Sequence, residues 1–195
     1  MDDISTFDGL ARLYDLAMPP ARYAPLAAGL ARARRPVHRA LDVGGGTGRA
    51  AAAIRPETVV VDAAPGMLRR ARSKGHSTVA GGATRLPVAG DSVGATLVVD
   101  ALHHMPDHHG VVGELYRVLR PGGVAILREF DPTTLPGRAL VAAEHAGGFG
   151  STFHTPAALL DLLEAGGFAA DVVDGGFGYT VVGTVESEGH KSGHG

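Results

Sequence analysis

Three glycines spaced two apart, Gly44, Gly46 and Gly48, follow the short run Leu41-Asp42-Val43, and Asp62 stands eighteen residues after the first of them. Glycine at such a turn permits unusual backbone dihedrals and, having no side chain, lets a ligand approach the chain closely. A carboxylate such as Asp62 can accept two hydrogen bonds and so suits the paired hydroxyls of a ribose. Turn and carboxylate together are parts that hold a nucleoside-containing cofactor. The plain alternative is a ligand-free turn, with Asp62 capping the helix that Pro65 begins.

Further along, Asp100, His103 and His104 follow a fourth apolar run and could accept a proton during chemistry. His103, His104, His108 and His109 also invite a metal reading, since histidines four apart on a helix can chelate. Pro106 interrupts that helix and no third ligand type is obvious, so no metal site is expected. Glu129 and Asp131 are candidates for polar contacts with a substrate, or simply solvated carboxylates at a strand end. Phe7, Tyr14, Met18 and Tyr23 could cover a ligand as a lid or pack on a sheet, and Phe130, Phe149, Phe153 and His154 offer modestly apolar surface for an acceptor.

These residues need a scaffold. Strands are expected at Arg39–Val43, Thr58–Asp62, Ser77–Ala80, Ala95–Val99, Val124–Leu127, Ala169–Val173 and Tyr179–Val185, the seven runs alternating with helical segments. Helices are expected over 4–35 with a break at Pro19-Pro20, from Ala64 to Ser73, from about Asp107 to Leu119, near 135–147, and from Thr155-Pro156 to Gly166-Gly167. A helix is also expected directly after the glycine turn, its amides aimed at the ligand. Pro121-Gly122-Gly123 is expected to be a turn. Continuous apolar strands alternating with helices imply an α/β fold, a doubly wound and mostly parallel seven-stranded sheet covered on both faces. The hairpin-length link between the last two runs requires an antiparallel last strand, and N-terminal helices precede the sheet. Ligands in such folds sit beyond the carboxyl ends of the strands, where the strand order switches.

The chain has 195 residues, 45% of them hydrophobic, which suits one domain with one substantial core. The expected division is a single domain over 1–187, comprising a helical lid (1–36), a cofactor half (37–130) and a substrate half (131–187), with a polar flexible tail at 188–195. The formal charge is −2 with no block of like charge, which gives nucleic acid no electrostatic support as a partner. Without cysteine there is no disulfide, thiolate metal site or cysteine nucleophile. No apolar run reaches the ~18 residues of a membrane span and the first residues do not resemble a signal peptide, so a cytoplasmic protein is expected. Oligomeric state is not readable.

The turn alone does not choose a cofactor. Gly46-Thr47-Gly48-Arg49-Ala50-Ala51 also satisfies the dinucleotide pattern G-x-G-x-x-G/A. A short-chain dehydrogenase would need Tyr-x-x-x-Lys, however, and neither Lys74 nor Lys191 lies four residues after a tyrosine. Asp42 inside the first strand also fits a dinucleotide site poorly.

Leu41-Asp42-Val43-Gly44-Gly45-Gly46-Thr47-Gly48 resembles the first motif of the class I S-adenosylmethionine-dependent methyltransferases, and Val61-Asp62-Ala63-Ala64-Pro65-Gly66-Met67 the second. Leu86-Pro87, Leu102-His103-His104-Met105-Pro106-Asp107 and Leu119-Arg120-Pro121-Gly122-Gly123 match later landmarks in order. The branch that contains the menaquinone and ubiquinone methyltransferases is the most similar, and Phe7-Asp8 and Tyr14-Asp15 fit it as well. The resemblance implies a Rossmann-like methyltransferase fold with S-adenosylmethionine as cofactor. It implies that Asp62 holds the ribose, that Gly44 and Gly46 line the methionine and sugar, that Ala63 and Met67 flank the adenine, and that Asp42 bonds backbone or the methionine ammonium. Gly45, Gly82, Ala83, Thr84 and Val99 complete the candidate cofactor set.

Two positions depart from the family pattern. Gly82 stands where Asp or Glu usually bonds the adenine amino group, and Val93-Gly94 replaces a usual Phe-Asp. The stretch from Asp100 to His104 resembles phosphoethanolamine-type methyltransferases, which implies His104 as a general base assisted by Tyr14. The expected function is methyl transfer to oxygen, carbon or nitrogen of a small-molecule acceptor, possible quinone-like acceptors included, driven mainly by positioning. A catalytically silent cofactor-binding protein and an NAD-dependent oxidoreductase are the alternatives.

Overall fold

In a computed structural model of the chain, residues 23–186 are described; the expectations for 1–22 and for the tail fall outside them. Seven strands form one sheet in the order β3-β2-β1-β4-β5-β7-β6: β1 Arg39–Val43, β2 Glu57–Asp62, β3 Ser77–Ala80, β4 Val93–Val99, β5 Leu119–Phe130, β6 Ala169–Asp174 and β7 Gly178–Thr184. The pairs from β3 to β5 are parallel, and β7 runs antiparallel to both β5 and β6. This is the expected doubly wound sheet with its antiparallel last strand. The helices are α1 Tyr23–Leu30, α2 Pro65–Ser73, α3 His108–Val118, α4 Leu135–Ala146 and α5 Pro156–Ala165.

The sheet buries both faces, and period-2 alternation divides its residues between two cores. Ala95, Leu97, Val124 and Ile126 pack with Leu26 of α1 on one face. Val98, Ala125, Leu127 and Val181 pack with Val111, Leu115, Leu159 and Leu163 of α3 and α5 on the other. Helix starts follow local chemistry: the side chains of Asp107, Thr134 and Thr155 accept the backbone N–H of Gly110, Gly137 and Ala158, and Pro136 and Pro156 occupy first-turn positions where a missing N–H costs nothing.

Three local expectations are corrected. The helix expected to run to Arg35 is helical over Tyr23–Leu30 among the described residues and stops there, and Arg34 N–H then donates to Gly122 O at 2.9 Å. After the glycine turn there is no α-helix but a single 3-10 turn, Ala51–Ala53, because Pro56 and the start of β2 follow at once. Pro121-Gly122-Gly123 does not end a strand. Leu119 pairs with Val93 and Val124 with Ala95, so residues 120–123 bulge within β5 opposite Gly94.

Candidate active site

The strand order reverses beside β1, between β2 and β4, and there a cleft of about 260 Å³ opens at the carboxyl ends of the strands. The glycine turn supplies its floor. Gly44 and Gly46 have φ of +66° and +54°, the left-handed region that glycine enters without cost. A Cβ on Gly44 would lie 2.7 Å from Met105 Cε, whereas one on Gly46 would point toward the cleft, 3.7 Å from Met67 Sδ.

The turn is pinned from β2. Gly44 and Gly45 N–H donate to Val61 O at 2.8 and 3.3 Å, and Gly46 N–H donates to Asp62 Oδ2 at 2.8 Å. Asp62 Oδ1 accepts Ala64 N–H, also at 2.8 Å. Asp62 therefore clamps the turn while still lining the cleft, and each of its oxygens keeps a second acceptor site. Burial raises its pKa, although the amide donors oppose that shift.

The remaining walls come from four segments. Ala63, Ala64 and Met67 enter from the start of α2, and Gly81, Gly82, Ala83 and Thr84 from the loop after β3. Asp100, Ala101, His104, Met105 and Pro106 come from the segment after β4, with Val111 of α3 behind them. The loop after β3 is tied back through Glu114, which accepts Leu86 N–H at 2.6 Å and holds Arg117, whose guanidinium donates to Leu86 O and Val88 O.

Of the sequence candidates, Gly44, Gly46, Asp62, Ala63, Met67, Gly82, Ala83, Thr84 and His104 line this cleft, while Asp42, Gly45 and Val99 do not. Asp42 is completely buried beneath the turn, where Oδ2 accepts Ala51 N–H at 3.0 Å. Desolvation pushes its pKa up to about 7. Gly45 faces that carboxylate: a Cβ there would lie 2.5 Å from Asp42 Cγ. Its glycine character serves the packing of Asp42. Tyr14 lies outside the described residues.

On the acceptor side, Glu129 is not an exposed strand-end carboxylate. It is 2% exposed, accepts Leu102 N–H at 2.8 Å and contacts His103 Nδ1 at 2.6 Å. Burial works against a charge on His103, but the Glu129 carboxylate and its hydrogen bond outweigh it and raise the imidazole pKa, while Glu129 is lowered by the same partner. His103 stacks on Phe153 with ring centroids 4.4 Å apart, and His104 Nδ1 lies 3.2 Å from Ser151 Oγ. Phe149 and Phe153 thus back the histidine pair and do not line the cleft. Asp131 stabilises its own turn by accepting from Thr133.

Sequence reasoning missed the pair Arg49–Asp100, 2.9 Å apart at the edge of the cleft. Asp100 holds a left-handed φ of +53°, uncommon outside glycine, and its N–H donates to Arg128 O. Arg49 sits among the turn residues, but nothing in the one-dimensional pattern ties it to Asp100.

The chain matches the family model described as a methyltransferase domain over residues 41–127. It is 34% identical over 149 residues to a demethylmenaquinone methyltransferase of Mycolicibacterium paratuberculosis, covering 72% of this chain and 64% of that protein. The protein of the same name from Mycobacterium tuberculosis is 32% identical over 141 residues, covering 68% and 60%. The chain thus spans a little under two thirds of the length of these relatives. Its fold is similar to that of an S-adenosylmethionine-dependent methyltransferase from Thermotoga maritima described as a possible histamine N-methyltransferase, with TM-score 0.78, 23% identity and coverage of 95% and 100%. An S-adenosylmethionine-dependent methyltransferase from Archaeoglobus fulgidus superposes with TM-score 0.68 at 14% identity, covering 83% and 92%. Motifs, fold and relatives agree: residues 41–127 match a methyltransferase domain, and the chain is similar in sequence and fold to class I S-adenosylmethionine-dependent methyltransferases.

Proposed function

We propose that the cleft binds S-adenosylmethionine and that the protein transfers its methyl group to a small-molecule acceptor. One observation carries the choice of cofactor: the backbone N–H groups of Gly44, Gly45, Gly46 and Gly48 are all donated within the protein, to Val61 O, Asp62 Oδ2 and Gly45 O. A dinucleotide site presents such amides to a pyrophosphate, and here these four are taken. A sulfonium nucleoside carries no phosphate and asks of the turn only a close, side-chain-free surface. The remaining acceptor sites of Asp62 suit ribose hydroxyls, Met67 and Ala63 offer apolar contact to an adenine, and Ala83 and Thr84 offer it polar groups. Each of these roles belongs to the proposal.

Methyl transfer from a positive sulfur is an in-line displacement with a good leaving group, so holding the acceptor opposite the methyl supplies much of the rate. His104, on the cleft wall beside Ser151, is the proposed proton acceptor for nucleophiles that attack only after deprotonation. The similarity to demethylmenaquinone methyltransferases favours an acceptor with a quinone-like ring, and the apolar Ala101, Met105, Pro106 and Val111 fit that class. Calorimetric titration with S-adenosylmethionine, S-adenosylhomocysteine and NAD tests the cofactor. Binding of both sulfur nucleosides without NAD is expected, and NAD binding alone overturns the proposal. Release of S-adenosylhomocysteine across a panel of small aromatic and quinol acceptors tests the activity.

A further inference from the structure

Next to the cleft, three side chains from two distant segments converge. His103, His104 and Glu144 each place one potential ligand atom within 4.8 Å of the other two. His103 Nε2 and Glu144 Oε1 are 3.7 Å apart, too far for a hydrogen bond. Two donors that share one tetrahedral cation at ordinary bond lengths stand about 3.4 Å apart. The other ring nitrogen of His103 is occupied by Glu129 at 2.6 Å, an arrangement that orients an imidazole and raises its basicity toward a metal. Independently, Glu144 Oε2 is buried with no hydrogen-bond partner among the described residues. A buried carboxylate oxygen without a partner is costly, and a cation would relieve that cost.

We propose that His103, His104 and Glu144 form a binding site for a divalent first-row transition-metal cation, with His104 on the wall of the cofactor cleft; a metal on His104 occupies its one basic nitrogen, so metal-bound and proton-accepting forms of this residue exclude one another. Two imidazoles and one carboxylate select such an ion over magnesium or calcium, which prefer all-oxygen shells. Three protein ligands leave coordination positions open. The sequence pattern hides this set because Glu144 lies on α4, forty residues beyond His104, and pairs with the histidines only through the fold. The rival reading is an imidazolium of His103 shared by Glu129 and Glu144, with no metal at all.

The experiment uses the intact chain, freed of metal with a chelator and without any nucleoside, so its outcome is separate from that of the cofactor proposal. Cobalt(II) is titrated in and followed by visible absorption, with zinc and magnesium as competitors. One equivalent is expected to bind, to be displaced by zinc and to be unaffected by magnesium. Glu144→Gln and His104→Asn are each expected to weaken binding by about 10-fold or more, at least the loss seen when residues supporting a metal ligand are changed. The control His108→Asn/His109→Asn is expected to bind as the parent does. Absence of cobalt binding overturns the proposal in favour of the imidazolium, and so does binding that Glu144→Gln leaves unchanged. Circular dichroism of the metal-free variants checks folding; if His104→Asn does not fold, Glu144→Gln, on a partly exposed helix position, decides alone.

Discussion

Gly82 offers the sharpest test of how the nucleoside is held, because there a side chain can be added and a gain is expected. The family usually has Asp or Glu at this place, bonding the adenine amino group. Gly82 lines the cleft, its φ lies outside the left-handed region, and a Cβ built on it meets nothing within 4 Å. Gly82→Asp should therefore fold without strain. A hydrogen bond to a charged group is worth about 1.5–3 kcal/mol, and each 1.4 kcal/mol is tenfold in affinity, so the range is about 10- to 100-fold. Gly82 is exposed, so the new carboxylate stays hydrated and screened, which places the expectation at the low end, about tenfold tighter binding of S-adenosylhomocysteine. Calorimetry on parent and variant reads it directly. The inosine analogue, with oxygen in place of the amino group, should show no gain or a loss. Equal tightening of both ligands, or no change for either, refutes the placement of the adenine beside Gly82.

Three further outcomes follow from the turn. Gly45→Ala would drive its Cβ into Asp42, 2.5 Å from Cγ and 2.8 Å from the backbone oxygen, and should destabilise the fold strongly, read as a large drop in urea midpoint. Gly46→Ala meets no such clash and should cost about 1–2 kcal/mol of stability for its left-handed backbone while abolishing nucleoside binding, because the new methyl points into the cleft. Asp62→Asn keeps only one acceptor oxygen for the two amides of Gly46 and Ala64, so about 1.5–3 kcal/mol of turn stability and at least tenfold in cofactor affinity should be lost. Asp42 sets a pH dependence. Its folded pKa, about 7, lies above the ordinary 3.8, so the penalty for burying its charge is absent below pH 3.8, grows as pH rises from there to about 7, and is complete above that. The full difference is worth about 4 kcal/mol, and denaturation of Asp42→Asn against the parent between pH 4 and 8 should show the parent losing ground as pH rises.

Much of the scaffold was legible because its signals are local. The β-branched run at 58–61, Pro65 and Pro156 at first-turn positions, and the glycines after β1 each act within a few residues. The expectation of a helix after the glycine turn failed: the chain makes only the 3-10 turn Ala51–Ala53, and Pro56, which cannot donate to a helix, precedes β2 directly. The turn expected at 121–123 became a bulge because Val93 and Leu119 already pair upstream of it, a contact no local rule encodes. In the site, the residues on the cleft wall came from contiguous motifs, whereas Glu129 under His103, Arg49 against Asp100 and Glu144 beside the histidines depend on long-range packing. Asp42 shows the opposite limit. Its place in the motif was plain, but only burial reveals that it supports the turn from below and does not touch the cleft.

The cleft beside Gly44, Asp62 and Gly82 is the proposed seat of S-adenosylmethionine. A crystal structure of the protein with S-adenosylhomocysteine tests it most directly. Density for the nucleoside is expected in this cleft, with ribose hydroxyls on Asp62 and the adenine between Met67 and the Gly82–Thr84 loop. Density at another place, or a ribose that leaves Asp62 uncontacted, would contradict it.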